Sequence, residues 1–147
     1  MKIVSACLCG INCAWNGKSK PSQKVIELIK TGEIIPVCPE QLGGLSTPRV
    51  PQEIQGYSGE DVLAGKCKVT NKNGEDVTAH FIRGAEETLR IAKLVGATEF
   101  IAKSKSPSCG CGSTYDGTFS GTLIEGDGVT TAFLKQHGIK VTSEEDL

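Results

Sequence analysis

Three short apolar runs in this chain each end in a cysteine that is followed by a turn. Cys7 lies in VSACLCG, Cys38 in IIPVCPE and Cys109 in IAKSKSPSCG. If the runs are neighbouring parallel strands, their carboxyl ends meet at one edge of a sheet and bring the three thiols together. Three thiolates with a fourth position left open are typical of a catalytic metal or iron–sulfur site rather than a closed structural site.

Strand and helix patterns alternate along the rest of the chain. Short apolar runs followed by turn residues predict strands over residues 2–8, 33–38 and 98–103. Apolar residues at helical spacing predict a long helix over residues 77–95, which Gly96 ends. Shorter helices are predicted in KPSQKVIELIKTG and in GVTTAFLKQHG, and a last strand in IKVTS.

This alternation predicts an α/β fold. Right-handed crossovers through helices give a Rossmann-like, mostly parallel sheet that is flanked by helices. At 147 residues and 15.5 kDa, the chain is expected to form a single domain, residues 1–147, with a core of its own. Asn73–Gly74 and Asp116–Gly117 predict β-hairpin excursions. Residues 41–60 are rich in Gly and Pro without periodicity, which predicts a long ordered loop.

Composition excludes several classes of function. The chain has 16 Lys and Arg residues against 17 Asp and Glu residues, so no excess of basic residues favours a long nucleic acid as partner. The apolar stretch at the N-terminus is broken by Gly10 and is too short for a signal peptide or a membrane helix. These features predict a cytoplasmic protein with no membrane partner. In that compartment, seven cysteines indicate metal binding or reactive thiols rather than a disulfide framework.

The first turn contains three of the cysteines, in CLCGINCAWNG. Period two in the entering strand places Cys7 and Cys9 on the same side, and the spacing of Cys9 and Cys13 also permits chelation. One or two of the three are expected to be ligands. Cys9 and Cys13 are equally well explained as small buried hydrophobic residues. Cys67, on a predicted hairpin, is interpreted as structural or incidental.

Charged residues after the second strand are candidates for acid–base chemistry and ligand binding. Pro39 fixes the backbone after Cys38 and holds Glu40 two residues from the thiol. Glu40 is either a general base toward water at a metal–thiolate site, or an N-cap or surface acid. Arg49 lies between Pro48 and Pro51, which stiffen the backbone around it. Its guanidinium either clamps a planar ligand or pairs with Glu53.

The segment KSKSPSCGCG is rich in groups that bind anions and metals. Lys105 and the neighbouring Lys103 favour a thiolate at Cys109 or bind an anionic intermediate. The hydroxyls of Ser106 and Ser108 can donate hydrogen bonds to cluster sulfides or to a substrate carbonyl. Taken alone, the segment is equally consistent with a redox-sensing or zinc-binding loop.

Several ordered motifs give the chain a family resemblance. With VSACLCG, VCPEQLGGLSTPRVPQE, KSKSPSCG and TYDGTF in this order, it resembles the thiouracil desulfidase family over nearly its whole length. The resemblance implies an oxygen-sensitive 4Fe-4S cluster held by Cys7, Cys38 and Cys109, with the fourth iron free. It also implies that Glu40 and Ser106 are the catalytic acid and serine of the family.

The activity implied by the resemblance is a non-redox desulfuration. A small thiolated pyrimidine such as thiouracil loses its sulfur as hydrosulfide, and C=S becomes C=O. Arg49, Lys105 and Ser108 are predicted to bind the substrate. This chain has Ala14–Trp15 where relatives usually have Arg-Tyr, and Trp15 is able to stack on a base. The alternative function is a noncatalytic, cysteine-rich metal-binding or redox-sensing module that uses the same thiols.

Overall fold

The computed structural model describes residues 1–147, which form strands, α-helices and two 3₁₀ helices. The strands are β1 (Lys2–Ser5), β2 (Ile34–Val37), β3 (Gln52–Gln55), β4 (Lys68–Asn71), β5 (Glu99–Ala102), β6 (Ser113–Tyr115), β7 (Leu123–Glu125) and β8 (Lys140–Ser143). The α-helices are α1 (Gln23–Ile29), α2 (Pro39–Leu42), α3 (Gly59–Leu63), α4 (Thr78–Val95) and α5 (Val129–Gln136). The 3₁₀ helices are Ala6–Cys9 and Glu144–Asp146.

The central sheet is parallel and has the strand order β2-β1-β5-β8. Ile3 of β1 lies beside Ile35 of β2 and Phe100 of β5, and Phe100 lies beside Val141 of β8. Since the chain crosses from β2 over β1 to reach β5, the order of connection reverses beside β1. In sheets of this kind, ligands bind outside the carboxyl ends of the strands at such a reversal.

Helices cover both faces of the sheet. On one face, Leu89 and Ala92 of α4 and Leu134 of α5 pack with Ile3 and Phe100. On the other face, the buried residues Val4, Leu8, Val25, Ile34 and Ile101 form a second cluster to which α1 contributes. Burial on both sides explains why the central positions Ile3 and Val4 of β1, and Phe100 and Ile101 of β5, are all apolar.

The predicted fold class is confirmed, and the predicted strands and helices of the sheet appear with shorter bounds. The long helix ends as expected, because Gly96 adopts the left-handed conformation with φ 67°. One boundary was wrong in a way that matters for the site. Residues 6–9 form a 3₁₀ helix rather than strand, so the predicted placement of Cys7 and Cys9 on one side of a strand does not hold.

The two hairpin predictions have different outcomes. Asp116–Gly117 follows β6, which pairs antiparallel with β7, so that hairpin is confirmed. Asn73–Gly74 forms a turn, but β4 pairs with β3, and only one bridge, Thr70 to Asp76, spans the turn. The prediction of one loop over residues 41–60 was wrong, because this segment contains all of β3 and the start of α3. None of the helices is both long enough and apolar enough to span a membrane.

Candidate active site

A cavity of about 500 Å³ opens at the carboxyl ends of β1, β2 and β5. Its wall contains four of the seven cysteines, namely Cys7, Cys13, Cys38 and Cys109. Charged and polar residues line the remainder, including Lys20, Glu40, Arg49, Gln52, Glu53, Lys103, Lys105, Ser106 and Tyr115. The cavity therefore combines thiols, a carboxylate and cations at the place where this type of sheet binds ligands.

The three strand-end cysteines reach the cavity from three neighbouring strands. Cys38 directly follows β2 and occupies the N-cap position of α2, with Pro39 at the first helical residue. Cys7 lies in the 3₁₀ helix after β1. Cys109 lies in the loop after β5, where its backbone N–H donates to Ser106 Oγ at 3.0 Å and its carbonyl accepts from Thr131 Oγ1 at 2.7 Å.

Close packing of two helices sets the position of Cys38 and Glu40. The short helix α2 lies against α4, where Gly43 and Gly84 leave room for the backbones to approach. A Cβ atom on Gly84 would lie 2.1 Å from the carbonyl oxygen of Pro39, well inside van der Waals contact. Any side chain at this position would displace α2 and, with it, the thiol and the carboxylate that it carries.

Cys13 is a fourth thiol on the cavity wall. The residue is buried, and its carbonyl accepts hydrogen bonds from Arg49 Nη2 at 3.0 Å and from Cys38 Sγ at 3.8 Å. Sequence spacing did not distinguish Cys9 from Cys13 as a candidate ligand. The structure separates them, because Cys9 does not line the cavity and packs beside the apolar cluster of Val4 and Leu8.

The carboxylate of Glu40 forms an ion pair with the guanidinium of Arg49, between Oε2 and Nη2. The Arg49 side chain is 4% exposed, and its Nη1 donates to the Ser46 carbonyl and to Thr47 Oγ1. The alternative pairing of Arg49 with Glu53 is wrong. Glu53 instead accepts hydrogen bonds from the backbone N–H groups of Gly117 and Phe119, which tie the β6–β7 connection to β3.

The loop after β5 positions its hydroxyl groups in different directions. Ser106 lines the cavity, and its Oγ accepts hydrogen bonds from the backbone N–H groups of Ser108 and Cys109, which leaves its own proton to donate. Lys105 also lines the cavity. Ser108 does not. Its side chain is buried, with Oγ 2.8 Å from Thr130 Oγ1.

A clamp from the C-terminus holds the same loop, and sequence reasoning missed it. Glu144 accepts hydrogen bonds from the backbone N–H and the Oγ of Ser104, both at 2.7 Å, and Lys103 Nζ lies 3.4 Å away. Burial alone would raise the pKa of Glu144, but these hydrogen bonds and the ammonium group lower it below its ordinary value. In sequence, SEEDL resembles a solvated acidic tail.

The cavity thiols have raised pKa values. Burial raises the pKa of Cys109 to about 12. Contact with Cys13, followed by burial, raises the pKa of Cys38 far above its ordinary value. The Cys38 contact lowers the pKa of Cys13, but contact with Cys7 and burial outweigh it and bring this pKa to about 11. Thiolates at this site therefore need a positive partner.

The residues present fit an iron–sulfur cluster. Soft thiolate donors favour such clusters, and bound iron supplies the positive charge that the thiolates need. Arg49 Nε is a buried donor with no hydrogen-bond partner, and sulfides and thiolates accept hydrogen bonds from such groups. No three Cys, His, Asp or Glu side chains are placed to hold a single metal ion. Cluster ligands each bind a different iron and need not converge on one point.

Comparisons with known proteins agree with this chemistry. The model of a family described as 2-thiouracil desulfurase matches residues 3–146. The uncharacterized protein YbbK from Bacillus subtilis (strain 168) is 50% identical over 147 residues, which span all of this chain and 97% of that protein. The solved structure of the 4Fe-4S-dependent thiouracil desulfidase TudS (DUF523Vcz) superposes with a TM-score of 0.87 at 43% identity. The match covers 99% of this chain and 91% of that chain.

Proposed function

We propose that this chain, which belongs to the 2-thiouracil desulfurase family, catalyses iron–sulfur-dependent desulfuration of a small thiolated base such as thiouracil. The reaction is non-redox: water replaces the sulfur, C=S becomes C=O, and hydrosulfide leaves. One observation carries this proposal. Strand-end cysteines, an acid and a hydroxyl line the same cavity at the carboxyl ends of β1, β2 and β5.

In this proposal, Cys7, Cys38 and Cys109 hold a 4Fe-4S cluster. Each follows a different strand, and the three strands are neighbours in the sheet, so the topology brings all three thiols to the same edge. When bound, the cluster supplies an iron without a cysteine ligand, a Lewis acid for the thiocarbonyl sulfur. Arg49 lines the same cavity, and its buried Nε, which has no hydrogen-bond partner, is a donor available to a cluster sulfur.

Glu40 acts as general base toward the attacking water. Arg49 holds the carboxylate through Oε2 alone, which leaves Oε1 free to accept a proton from water. The Glu40 side chain is 14% exposed, so it reaches the cavity without being freely solvated. Arg49 is held by three further hydrogen bonds, two to Ser46 and Thr47 and one to the Cys13 carbonyl. Its guanidinium is therefore fixed independently of Glu40 and sets the orientation of the carboxylate.

Substrate contacts come from the rim and from the loop after β5. Ser106 donates its free proton to the substrate or to the attacking water. Lys105 lines the cavity and favours an anionic form of the thiolated pyrimidine. Trp15, 48% exposed and part of the wall, offers a face for the ring to stack on. Ser108 does not contact the substrate in this proposal; its buried hydroxyl stabilises the loop through its hydrogen bond with Thr130.

The test is a hydrosulfide-release assay. Protein reconstituted anaerobically with iron and sulfide is incubated with 2-thiouracil or 4-thiouracil, and the uracil and hydrosulfide formed are measured against an apoprotein control. We expect turnover only in the loaded sample. Loaded protein that releases no hydrosulfide from either compound, or zinc binding without turnover, would contradict the proposal and favour the noncatalytic metal-binding module.

A further inference from the structure

The cavity wall holds one more thiol than a three-cysteine cluster needs. Of the seven cysteines, Cys9, Cys67 and Cys111 lie outside the cavity, whereas Cys13 lies in its wall. Cys13 is 2% exposed, shares the cavity wall with Cys7 and Cys38, and has its carbonyl oxygen 3.8 Å from Cys38 Sγ. It is therefore adjacent to two of the three proposed ligands.

Backbone hydrogen bonds fix Cys13 in this position. Its N–H donates to the Ile11 carbonyl at 2.8 Å, and the following residue, Ala14, donates to the Lys18 carbonyl at 2.9 Å. Its carbonyl accepts from Arg49 Nη2, and Arg49 is the residue whose Nε has no partner. Cys13 and the residue with the unpartnered donor thus lie next to each other in the cavity wall.

We infer that Cys13 is a displaceable fourth ligand, which binds the free iron when no substrate is present and leaves it when the thiocarbonyl sulfur arrives. The inference rests on the proposed function. Cys13 gives its proton to solvent when it binds as a thiolate and takes one back when it leaves, so no electron is transferred. Thiolate is a soft donor that iron accepts readily, and the Cys13 thiol already lies in the cavity wall with the proposed ligands.

The other extra thiols do not have this placement. Cys111 Sγ lies 3.9 Å from the Val141 carbonyl, on the side of β8, and Cys67 Sγ lies 3.9 Å from the Ser58 carbonyl. Cys9 is half-buried after the first strand beside an apolar cluster. Cys9→Ala is therefore the matched control: it removes a thiol from the same turn without touching the cavity.

The test is Mössbauer spectroscopy of anaerobically reconstituted wild-type, Cys13→Ala and Cys9→Ala proteins, with iron and sulfide content measured on the same samples. We expect all three to hold the same amount of iron. In substrate-free Cys13→Ala, about one quarter of the iron signal should change from sulfur-only coordination to coordination that includes a water oxygen. Wild-type and Cys9→Ala spectra should match each other, and adding thiouracil should change the wild-type signal.

Two results would overturn the inference and leave the proposed function intact. If wild-type and Cys13→Ala spectra are identical while hydrosulfide release persists, Cys13 does not bind iron. If Cys13→Ala loses its iron altogether, Cys13 is a permanent ligand rather than a displaceable one. Wild-type protein that holds no cluster would overturn both the inference and the function on which it rests.

Discussion

At the scale of single residues, the site depends on which thiols and charges face the cavity. The position of Cys7, Cys38 and Cys109 after predicted strands was enough to predict that they share one cavity, because a parallel sheet brings the carboxyl ends of its strands together. The partner of Arg49 was not predictable. It depends on how the loop after α2 folds back, and Glu40 and Glu53 are both near enough in sequence. The inward rotation of Ser108 toward Thr130 is likewise set by tertiary packing.

Removal of a proposed ligand should abolish cluster binding. Cys7→Ala, Cys38→Ala and Cys109→Ala should each lose most of the iron after anaerobic reconstitution, because only two of the three permanent ligands, with the displaceable Cys13, would remain to hold the cluster. Iron and sulfide analysis and the visible absorption of the cluster measure this. Cys67→Ala, outside the cavity, is the control and should keep the wild-type iron content. A variant of the three that keeps full iron would remove that cysteine from the ligand set.

Removal of the proposed base should lower the rate of desulfuration without changing cluster binding. Glu40→Gln keeps the shape of the side chain but cannot accept a proton, so turnover should fall about a hundred- to ten-thousand-fold while iron content is unchanged. Hydrosulfide release under anaerobic conditions measures the rate. The exposed Glu60→Gln on α3 should have wild-type activity. Near-normal turnover of Glu40→Gln would assign the proton transfer to another group.

At the scale of elements, the strands and helices of the sheet followed from periodicity, but the β3–β4 pair did not. The Asn73–Gly74 signal correctly marks a turn, yet β4 gains more by pairing with β3, where Ile54 and Val69 are buried together. The preceding Gly- and Pro-rich segment contains no strand-like alternation. The pairing of β3 with β4 therefore depends on burial against α4 and α5, a tertiary contact that cannot be predicted from the local sequence.

A substitution at the α2–α4 contact tests whether close helix packing positions Cys38 and Glu40. Alanine ordinarily stabilises a helix by about 1 kcal/mol relative to glycine. In Gly84→Ala, however, the new methyl group would overlap the Pro39 carbonyl. We expect a net loss of about 1–3 kcal/mol in the free energy of unfolding, measured by denaturant titration, together with reduced iron binding. Glu86→Ala, exposed on the same helix, should show neither effect. A stabilised Gly84→Ala would show that α2 moves freely.

The C-terminal clamp predicts a pH dependence of stability. Because the pKa of Glu144 is lower in the folded chain than its ordinary value of 4.5, its contribution is present above that value and is lost as pH falls through the folded pKa. Glu144→Gln should cost about 1–3 kcal/mol near neutral pH, and the difference from wild type should shrink below pH 4.5. Urea titrations at several pH values measure this. A difference that stays constant with pH, or an equal effect in the exposed Glu145→Gln, would contradict it.

At the scale of the whole molecule, the cavity exists because the chain reverses its order beside β1. An α/β sheet with a strand-end thiol on each of three neighbouring strands was predictable from the sequence alone. The extra wall thiol, Cys13, was not distinguishable from Cys9, because the strand ends at Ser5 and a 3₁₀ helix sends the chain in a new direction. The composition of the cavity wall thus depends on both the sheet topology and the local geometry of the first turn.

Cluster binding should stabilise the entire fold, since a ligand that binds only the folded state shifts unfolding by mass action. At a hundredfold excess over the dissociation constant the gain is about 2.7 kcal/mol, or about 5–10 °C in melting temperature for a chain of this size. Anaerobic calorimetry of loaded and apo protein measures the difference. Cys38→Ala treated in the same way should show no shift. Equal melting temperatures for loaded and apo wild type would mean that the cluster does not bind across the three strand ends.

The central claim is that water, not an electron transfer, removes the sulfur. The most direct measurement is mass spectrometry of the uracil formed from thiouracil by anaerobically loaded protein in water labelled with heavy oxygen, with hydrosulfide measured in parallel. The proposed mechanism predicts one labelled oxygen in each product molecule and one hydrosulfide for each uracil, with no added electron donor. Unlabelled product, or turnover that requires a reductant, would contradict it.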